Sequence, residues 1–127
     1  MTYDEFVEIA REETALLPSY VFEELDGGVV ADPNVYLHPA RLSDDLYIMG
    51  TYSQGIYGSQ IVLYYGSFQA TMPYASAEQM REKIRETIRH EFRHHLETRA
   101  GIFGKDSLIE EDREEMKKYY ERRSKQT

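Results

Sequence analysis

The chain of 127 residues contains no cysteine. This absence excludes disulfide bonds and thiolate metal ligands. No apolar run approaches the roughly 20 residues that a membrane-spanning helix needs. The first ten residues carry acidic side chains rather than the basic and apolar parts of a secretory signal peptide. We therefore expect a soluble cytoplasmic protein that has no membrane partner.

Basic residues are also scarce. The chain has 15 Lys and Arg and 23 Asp and Glu, which gives a formal net charge of −8. Proteins that bind nucleic acids need clustered Lys and Arg against the phosphates, so we expect no nucleic-acid partner. Apolar residues make up 41% of the chain, which is enough for one hydrophobic core. The length fits one domain, and we interpret residues 1–127 as a single α+β domain.

Local sequence signals predict three main helices. The segments 2–5 (T-Y-D-E) and 76–79 (S-A-E-Q) are capping boxes, which mark helix starts. The first helix is expected to end before Pro18, and the second, longer helix near Gly101, because glycine is a natural helix stop. A third, highly charged helix is predicted from about residue 108 to residue 123.

Strands are predicted in the segment between the first two helices. Short stretches that are rich in β-branched and aromatic residues occur at 29–31, 46–52 and 60–68. The glycine-containing stretch 53–59 between the last two is interpreted as a loose hairpin loop. We expect a small mixed or antiparallel sheet, in which the strand 61–66 offers an edge for backbone pairing with an extended peptide.

The pattern His90-Glu91-x-x-His94 lies on the long predicted helix. Residues four apart on a helix are separated by only about 40° around its axis, so two imidazoles at this spacing can converge on one metal ion. The carboxylate beside the first histidine can then reach a metal-bound water. This is the pattern of zinc hydrolases, in which the glutamate is the general base. We predict His90 and His94 as Zn²⁺ ligands and Glu91 as the catalytic base.

The positions around the helix separate these residues from the neighbouring histidine. With His90 at 0°, His94 falls at about 40° and Glu91 at about 100°. The apolar residues Met80, Ile84, Ile88, Phe92 and Leu96 form a stripe between about 80° and 240°. His95 falls at about 140°, in the middle of this stripe, and is therefore predicted as a core residue. His38, in a predicted loop, is interpreted as an ordinary loop histidine.

A zinc hydrolase needs a third protein ligand, and no histidine follows His95, so this ligand should be a carboxylate. Glu97 lies on the same helix, close to the direction of His90. The other candidates form an acidic group downstream: Glu110, Glu111, Asp112, Glu114 and Glu115. Most of these are explained as a solvated first helical turn, where the helix dipole favours acidic residues. Arg93 is expected to pair with Glu86, Glu97 or a carboxylate of the last helix.

The chain resembles the small bacterial zincin-like metallopeptidase family over nearly its whole length. The resemblance rests on three segments: T-Y-D-E-F at the start, I-V-L-Y-Y-G-S-F in the strand region, and R-H-E-F-R-H-H-L-E-T-R-A-G on the long helix. It implies a minimal zincin-like fold and an aspartate as third ligand, which maps best to Asp112. Glu97 stands where the family has glycine, and 98–109 resembles an insertion, so Glu111 and Glu115 stay open as alternatives.

These observations predict a zinc-dependent metallopeptidase that acts on a peptide or protein substrate. Its Zn²⁺ would be held by His90, His94 and Asp112, with Glu91 taking the proton of the attacking water. A tyrosine is a candidate for stabilising the oxyanion. The candidates are Tyr64, Tyr65 and Tyr119. The alternative is a non-catalytic zincin-like protein with a structural or absent metal, which acts as a binding or regulatory module.

Overall fold

The computed structural model, which describes residues 1–56 and 58–125, contains four α-helices and a small three-stranded sheet. The elements are α1 (Tyr3–Ala15), β1 (Gly28–Asp32), β2 (Gly50–Gly55), β3 (Gly58–Tyr64), α2 (Tyr65–Thr71), α3 (Ala77–Ala100) and α4 (Leu108–Lys125), with a short 3₁₀ turn at Ser19–Phe22 between α1 and β1. The predicted α+β class is confirmed. No helix in this part of the chain is both long enough and apolar enough to cross a membrane.

The sheet has the strand order β1-β3-β2, so β3 is its central strand. β3 runs parallel to β1 and antiparallel to β2. Alternate side chains of β3, at Ser59, Ile61 and Leu63, are buried. The prediction that strand 61–66 offers a free edge is therefore wrong, because both sides of β3 are paired. The edge strands are β1 and β2.

Two predicted strand boundaries are also wrong. The strand predicted over 60–68 ends at Tyr64, and α2 begins at Tyr65. At Gly66 an added Cβ would lie 2.5 Å from the backbone nitrogen of Val35, so the close approach of chain 34–35 requires a glycine there. The strand predicted over 46–52 begins only at Gly50.

The predicted hairpin loop over 53–59 is shorter than expected. Residues 53–55 belong to β2, and residues 58 and 59 belong to β3. Residue 57 lies outside the described residues. Ahead of β2, the segment 46–49 contributes one isolated antiparallel bridge, between Tyr47 and Leu37. The strand signal in 46–52 therefore extends beyond the paired strand itself.

The core lies between the sheet and the helices α1 and α3. The predicted stripe of α3 is confirmed, since Met80, Ile84, Ile88 and Phe92 are all buried. Phe6 of α1 packs against Phe68 of α2, with ring centroids 5.2 Å apart. Both predicted capping boxes are formed, and α3 ends at Gly101, which adopts a left-handed conformation with φ of 70°. The core therefore fixes the long helix from Met80 to His95, and Leu96 is partly buried.

The last helix, α4, contributes little to this core. Its buried residues are Leu108 and Tyr119, and neither belongs to the main hydrophobic cluster. Polar contacts define its start instead. The backbone nitrogen of Leu108 donates to Glu97 Oε1 at 2.7 Å, and the hydroxyl of Ser107 accepts from the backbone nitrogen of Glu110 at 3.2 Å.

Candidate metal centre

The histidines and glutamate of the sequence pattern form one cluster on α3. His90, Glu91 and His94 each offer a possible ligand atom, and these atoms all lie within 4.8 Å of one another. The side chain of His90 is 43% exposed and that of His94 18% exposed, whereas Glu91 is buried. The two imidazole rings meet edge to face, with centroids 5.2 Å apart. The buried face of α3 therefore fixes Glu91, while both histidines reach toward solvent.

Asp112 of α4 faces both histidines. Its Oδ2 lies 2.7 Å from His94 Nε2, and its Oδ1 lies 3.4 Å from His90 Nε2. Two donors on one tetrahedral zinc ion are about 3.3 Å apart, so the His90–Asp112 separation already fits shared coordination, and the His94–Asp112 pair would widen slightly. Two imidazole nitrogens and one carboxylate match the donor set of zinc hydrolases. The residues therefore fit a zinc ion.

Four of the five other candidate carboxylates are engaged elsewhere, and the fifth, Glu114, is exposed. Glu97 accepts a hydrogen bond from Arg93 Nε at 2.6 Å, in addition to its bond with the start of α4. Glu111 accepts from Arg93 Nη1 at 2.9 Å. The predicted pairing of Arg93 with Glu97 or the last helix is thus confirmed. Glu110 pairs with Arg113, and Glu115 pairs with Lys118.

The pKa values of the two carboxyl groups in the cluster, Glu91 and Asp112, shift in opposite directions. Burial raises the pKa of Glu91, although the nearby His90 and His94 partly oppose this. Burial would also raise the pKa of Asp112, but its hydrogen bonds with both histidines prevail and hold that pKa well below its ordinary value. The hydrogen bond that His90 donates to the Asp112 carboxylate raises the pKa of His90. Asp112 is therefore ionised at neutral pH, as a metal ligand must be.

A cavity of about 920 Å³ opens in front of the cluster. α3 lines it with His90, Glu91 and His94, and further walls come from the segment leading into β2, from β2 itself and from α4. Of the three tyrosines proposed as oxyanion donors, Tyr119 lines this cavity. The hydroxyl of Tyr64 lies 3.4 Å from Thr51 Oγ1, and the hydroxyl of Tyr65 donates to the carbonyl of Met1.

Gly50 is a position at the candidate site that the sequence reasoning missed. It begins β2 beside the cluster, and a Cβ added there would lie 2.8 Å from Thr87 Cγ2 and 3.2 Å from Glu91 Cγ. The missing side chain lets the edge strand approach α3 at the level of Glu91. A glycine inside an apparent strand is a known sign of such a close approach, and this was the available signal.

The remaining histidines behave differently from each other. His95 is fully buried, as predicted. Its Nε2 lies 2.7 Å from the carbonyl of Glu23, and its Nδ1 lies 2.9 Å from the hydroxyl of Tyr52. His38, interpreted as an ordinary loop residue, instead lines the cavity, and its Nδ1 accepts a hydrogen bond from the backbone nitrogen of Ala40 at 3.0 Å. The loop position of His38 gave no sign of this.

The fold and the cluster together define an α+β domain with a candidate metal centre on its longest helix. No protein-family model matches the chain, and no curated protein matches it. The chain matches the solved structure of the conserved hypothetical protein TTHA0227 from Thermus thermophilus, at 31% sequence identity and a TM-score of 0.66. The match covers 79% of this chain and 98% of that one. The chain therefore belongs to the same family as this conserved hypothetical protein.

Proposed function

We propose that this protein is a zinc-dependent metallopeptidase with a minimal zincin-like fold. One observation carries the proposal. His90 and His94 face the carboxylate of Asp112 at 3.4 and 2.7 Å, while Glu91 lies buried beside them at the wall of a cavity. Nitrogen and carboxylate donors with an adjacent glutamate are the components of a zinc hydrolase.

His90, His94 and Asp112 would hold the zinc ion. When bound, zinc supplies a Lewis acid that polarises the scissile carbonyl and increases the acidity of the attacking water. Both histidines present Nε2 to Asp112. They coordinate only as neutral imidazoles, so the proton that His90 shares with Asp112 leaves when the site is loaded.

Glu91 moves the protons of the reaction. A carboxylate oxygen of Glu91 takes a proton from the water as the water oxygen bonds to the scissile carbonyl carbon. The same oxygen then gives this proton to the leaving amine nitrogen as the carbon–nitrogen bond breaks. Burial supports the role, because it raises the pKa of Glu91 toward the range in which a carboxyl group can both accept and return a proton.

The edge of β2 supports an extended peptide as the substrate. Among the described residues, β2 is paired with β3 on one side only, and it begins at Gly50 next to Glu91. A peptide that added to this edge by backbone hydrogen bonds would pass in front of the cluster. The substrate strand is therefore assigned to β2 instead of β3.

A second candidate function is a non-catalytic protein with a structural or absent metal. A structural zinc site is closed by four protein ligands, and Glu97 was the candidate for the fourth. The engagement of Glu97 with Arg93 and with the start of α4 removes support for that closed site. The cavity in front of the cluster favours the catalytic proposal.

Zinc content and peptide hydrolysis test this assignment in wild-type protein, His94→Ala and Glu91→Gln. We expect His94→Ala to lose most of its zinc. Glu91→Gln should keep zinc and lose hydrolysis by about 10²-fold or more. Glu82→Gln, at an exposed position of the same helix, is the matched control and should change neither quantity. Full zinc content in His94→Ala would refute the ligand assignment, and unchanged hydrolysis in Glu91→Gln would refute the base.

A further inference from the structure

The far end of α4 is tied to a loop by a buried tyrosine. Tyr119 is only 6% exposed. Its hydroxyl donates to Asp45 Oδ1 at 2.9 Å and accepts from the backbone nitrogen of Leu42 at 3.0 Å. The hydrogen bond from Tyr119 lowers the pKa of Asp45, which stays ionised as a strong acceptor. With its proton and an acceptor position already used, this hydroxyl is not arranged as an oxyanion donor.

Two neighbours of Tyr119 on α4 bind the same loop. The hydroxyl of Tyr120 donates to the carbonyl of Ala40 at 2.6 Å. Arg123 donates to Ser43 Oγ at 2.6 Å and pairs with Asp45 Oδ2 at 3.1 Å. We call this set of contacts, between loop 40–45 and the residues Tyr119, Tyr120 and Arg123, the α4 dock.

The dock matters because the other described attachments of α4 lie at its start, where Leu108 is buried and Glu111 pairs with Arg93. The segment 101–107 before α4 contains two residues with positive φ, Gly101 and Asp106, and its residues 101–106 are exposed. Asp112 and Tyr119 both line the cavity. They are seven residues apart, which places them on nearly the same face of the helix and about 10 Å apart along it. A rotation or tilt of α4 would therefore move Asp112 relative to His90 and His94.

We propose that Tyr119 is a positioning residue, which holds Asp112 against His90 and His94 through the α4 dock. Two ligands of the site lie on a helix that is fixed by the core, and the third depends on hydrogen bonds made two helical turns away. The inference rests on the proposed function, because it takes Asp112 to be a zinc ligand. Tyr119 acts through Asp112 and touches neither the metal nor the substrate.

Zinc affinity tests this role directly, with a chromophoric chelator as competitor for Zn²⁺ in the full-length protein. Tyr119→Phe keeps the ring and removes the hydroxyl. We expect an affinity loss of about 10- to 100-fold, as for other groups that orient a metal ligand. Asp45→Ala should lose a similar factor. The double variant Tyr119→Phe/Asp45→Ala should lose little more zinc affinity than the single variant that binds zinc less tightly, because both changes break the same contact.

Two control variants separate positioning from general stability. Tyr74→Phe makes the same chemical change at a side chain that is 96% exposed and outside the cavity, and it should leave the affinity unchanged. Phe6→Leu lowers stability in the main core without touching α4. It should lower the melting temperature and keep the zinc affinity of the wild type. An equal affinity loss in Phe6→Leu and Tyr119→Phe would overturn the positioning role.

Asp112→Ala shows which of the two proposals fails. A large loss of affinity in Asp112→Ala together with unchanged affinity in Tyr119→Phe overturns the dock and leaves the proposed function intact. Unchanged affinity in Asp112→Ala overturns the ligand set, and the positioning role with it. Limited proteolysis of segment 101–107 in metal-free protein gives a second measurement. Faster cleavage in Tyr119→Phe than in the wild type supports the dock, and equal cleavage contradicts it.

Discussion

The two helices that contribute to the candidate site are held in place in different ways. α3 buries a continuous apolar stripe, including Ile84 and Ile88, whose exposures are 0% and 1%. α4 buries Leu108 and Tyr119 and is otherwise attached by hydrogen bonds and ion pairs at its two ends. Apolar packing over a whole face fixes the position of a helix, whereas a few partly exposed polar contacts let it move at lower cost.

This difference divides the proposed site into a fixed part and an adjustable part. His90, Glu91 and His94 are carried by the packed helix and are close together whatever α4 does. Asp112 reaches them only when α4 lies in its observed position. A site of this kind can gain or lose its third ligand without unfolding of the core.

The largest effect on stability is expected from a substitution that leaves an empty space in the core beneath α3. Ile84→Ala removes a fully buried side chain from the core of α3. It should lower the free energy of unfolding by about 2–5 kcal/mol, since the surrounding core closes the space only in part. Met116→Ala on α4 is the matched comparison, because this side chain is only partly buried. Urea unfolding measures both, and equal losses would remove the contrast between the two helices.

Gly50→Ala tests how closely β2 approaches the packed helix. The new Cβ would meet Thr87 Cγ2 at 2.8 Å and Glu91 Cγ at 3.2 Å, so β2 or Glu91 has to shift. We expect a loss of about 1–3 kcal/mol in stability from this overpacking, and weaker hydrolysis through displacement of Glu91. Gly55→Ala, in the same strand with no atom of the described residues within 4 Å of the new Cβ, is the control. Equal stability of the two variants would contradict the close approach.

A buried carboxylate adds a second anchor to α3. Glu13 of α1 has a side chain that is 3% exposed and accepts hydrogen bonds from Arg85 at 2.9 and 3.1 Å and from Arg81 at 3.1 Å. Glu13→Gln should cost about 1–3 kcal/mol at pH 7, because a charged pair loses one partner while both arginines can still reach water. Chemical unfolding of wild type and variant gives this difference.

The same substitution has a defined pH dependence. Hydrogen bonds from Arg85, more than those from Arg81, lower the pKa of Glu13 below its ordinary value of 4.5, although burial acts in the opposite direction. A lowered pKa in the folded state gives stability above the unfolded pKa that is lost as the pH falls through the folded pKa. The stability difference between wild type and Glu13→Gln should therefore be constant near neutrality and shrink below about pH 4.5. A difference that grows on acidification would contradict this account.

Sequence periodicity predicted the fixed part of the site well because the information is local. The stripe that includes Ile84 and Phe92 assigned the buried face of α3, and the same angles placed His95 in the core. The capping box at Ser76 and the stop at Gly101 set the ends of the helix. Each of these signals depends on neighbours within about two helical turns.

The adjustable part depends on distant contacts, which sequence patterns do not record. Glu97, Glu111 and Asp112 are equivalent as acidic residues in the sequence. The placement of α4 brings Asp112 to the histidines and Glu111 to Arg93. The family resemblance, rather than any spacing, indicated Asp112. For the same reason the prediction of a free edge at β3 is wrong, since strand order depends on pairing between segments that are far apart in sequence.

The smallest effect on stability is expected where the two helices meet. Arg93 of α3 is 41% exposed and links Glu97 to Glu111 of α4. Arg93→Ala should cost no more than about 1 kcal/mol in global unfolding, because solvent screens exposed ion pairs. Its effect on α4 should be larger than this value suggests, since α4 has few other attachments near Asp112. Hydrogen exchange should therefore increase at the start of α4 and stay unchanged at Ile84 and Ile88.

Arg113→Ala, which breaks an ion pair within α4, is the control. Equal exchange at the start of α4 in both variants would mean that contacts other than those of Arg93 hold this end of the helix.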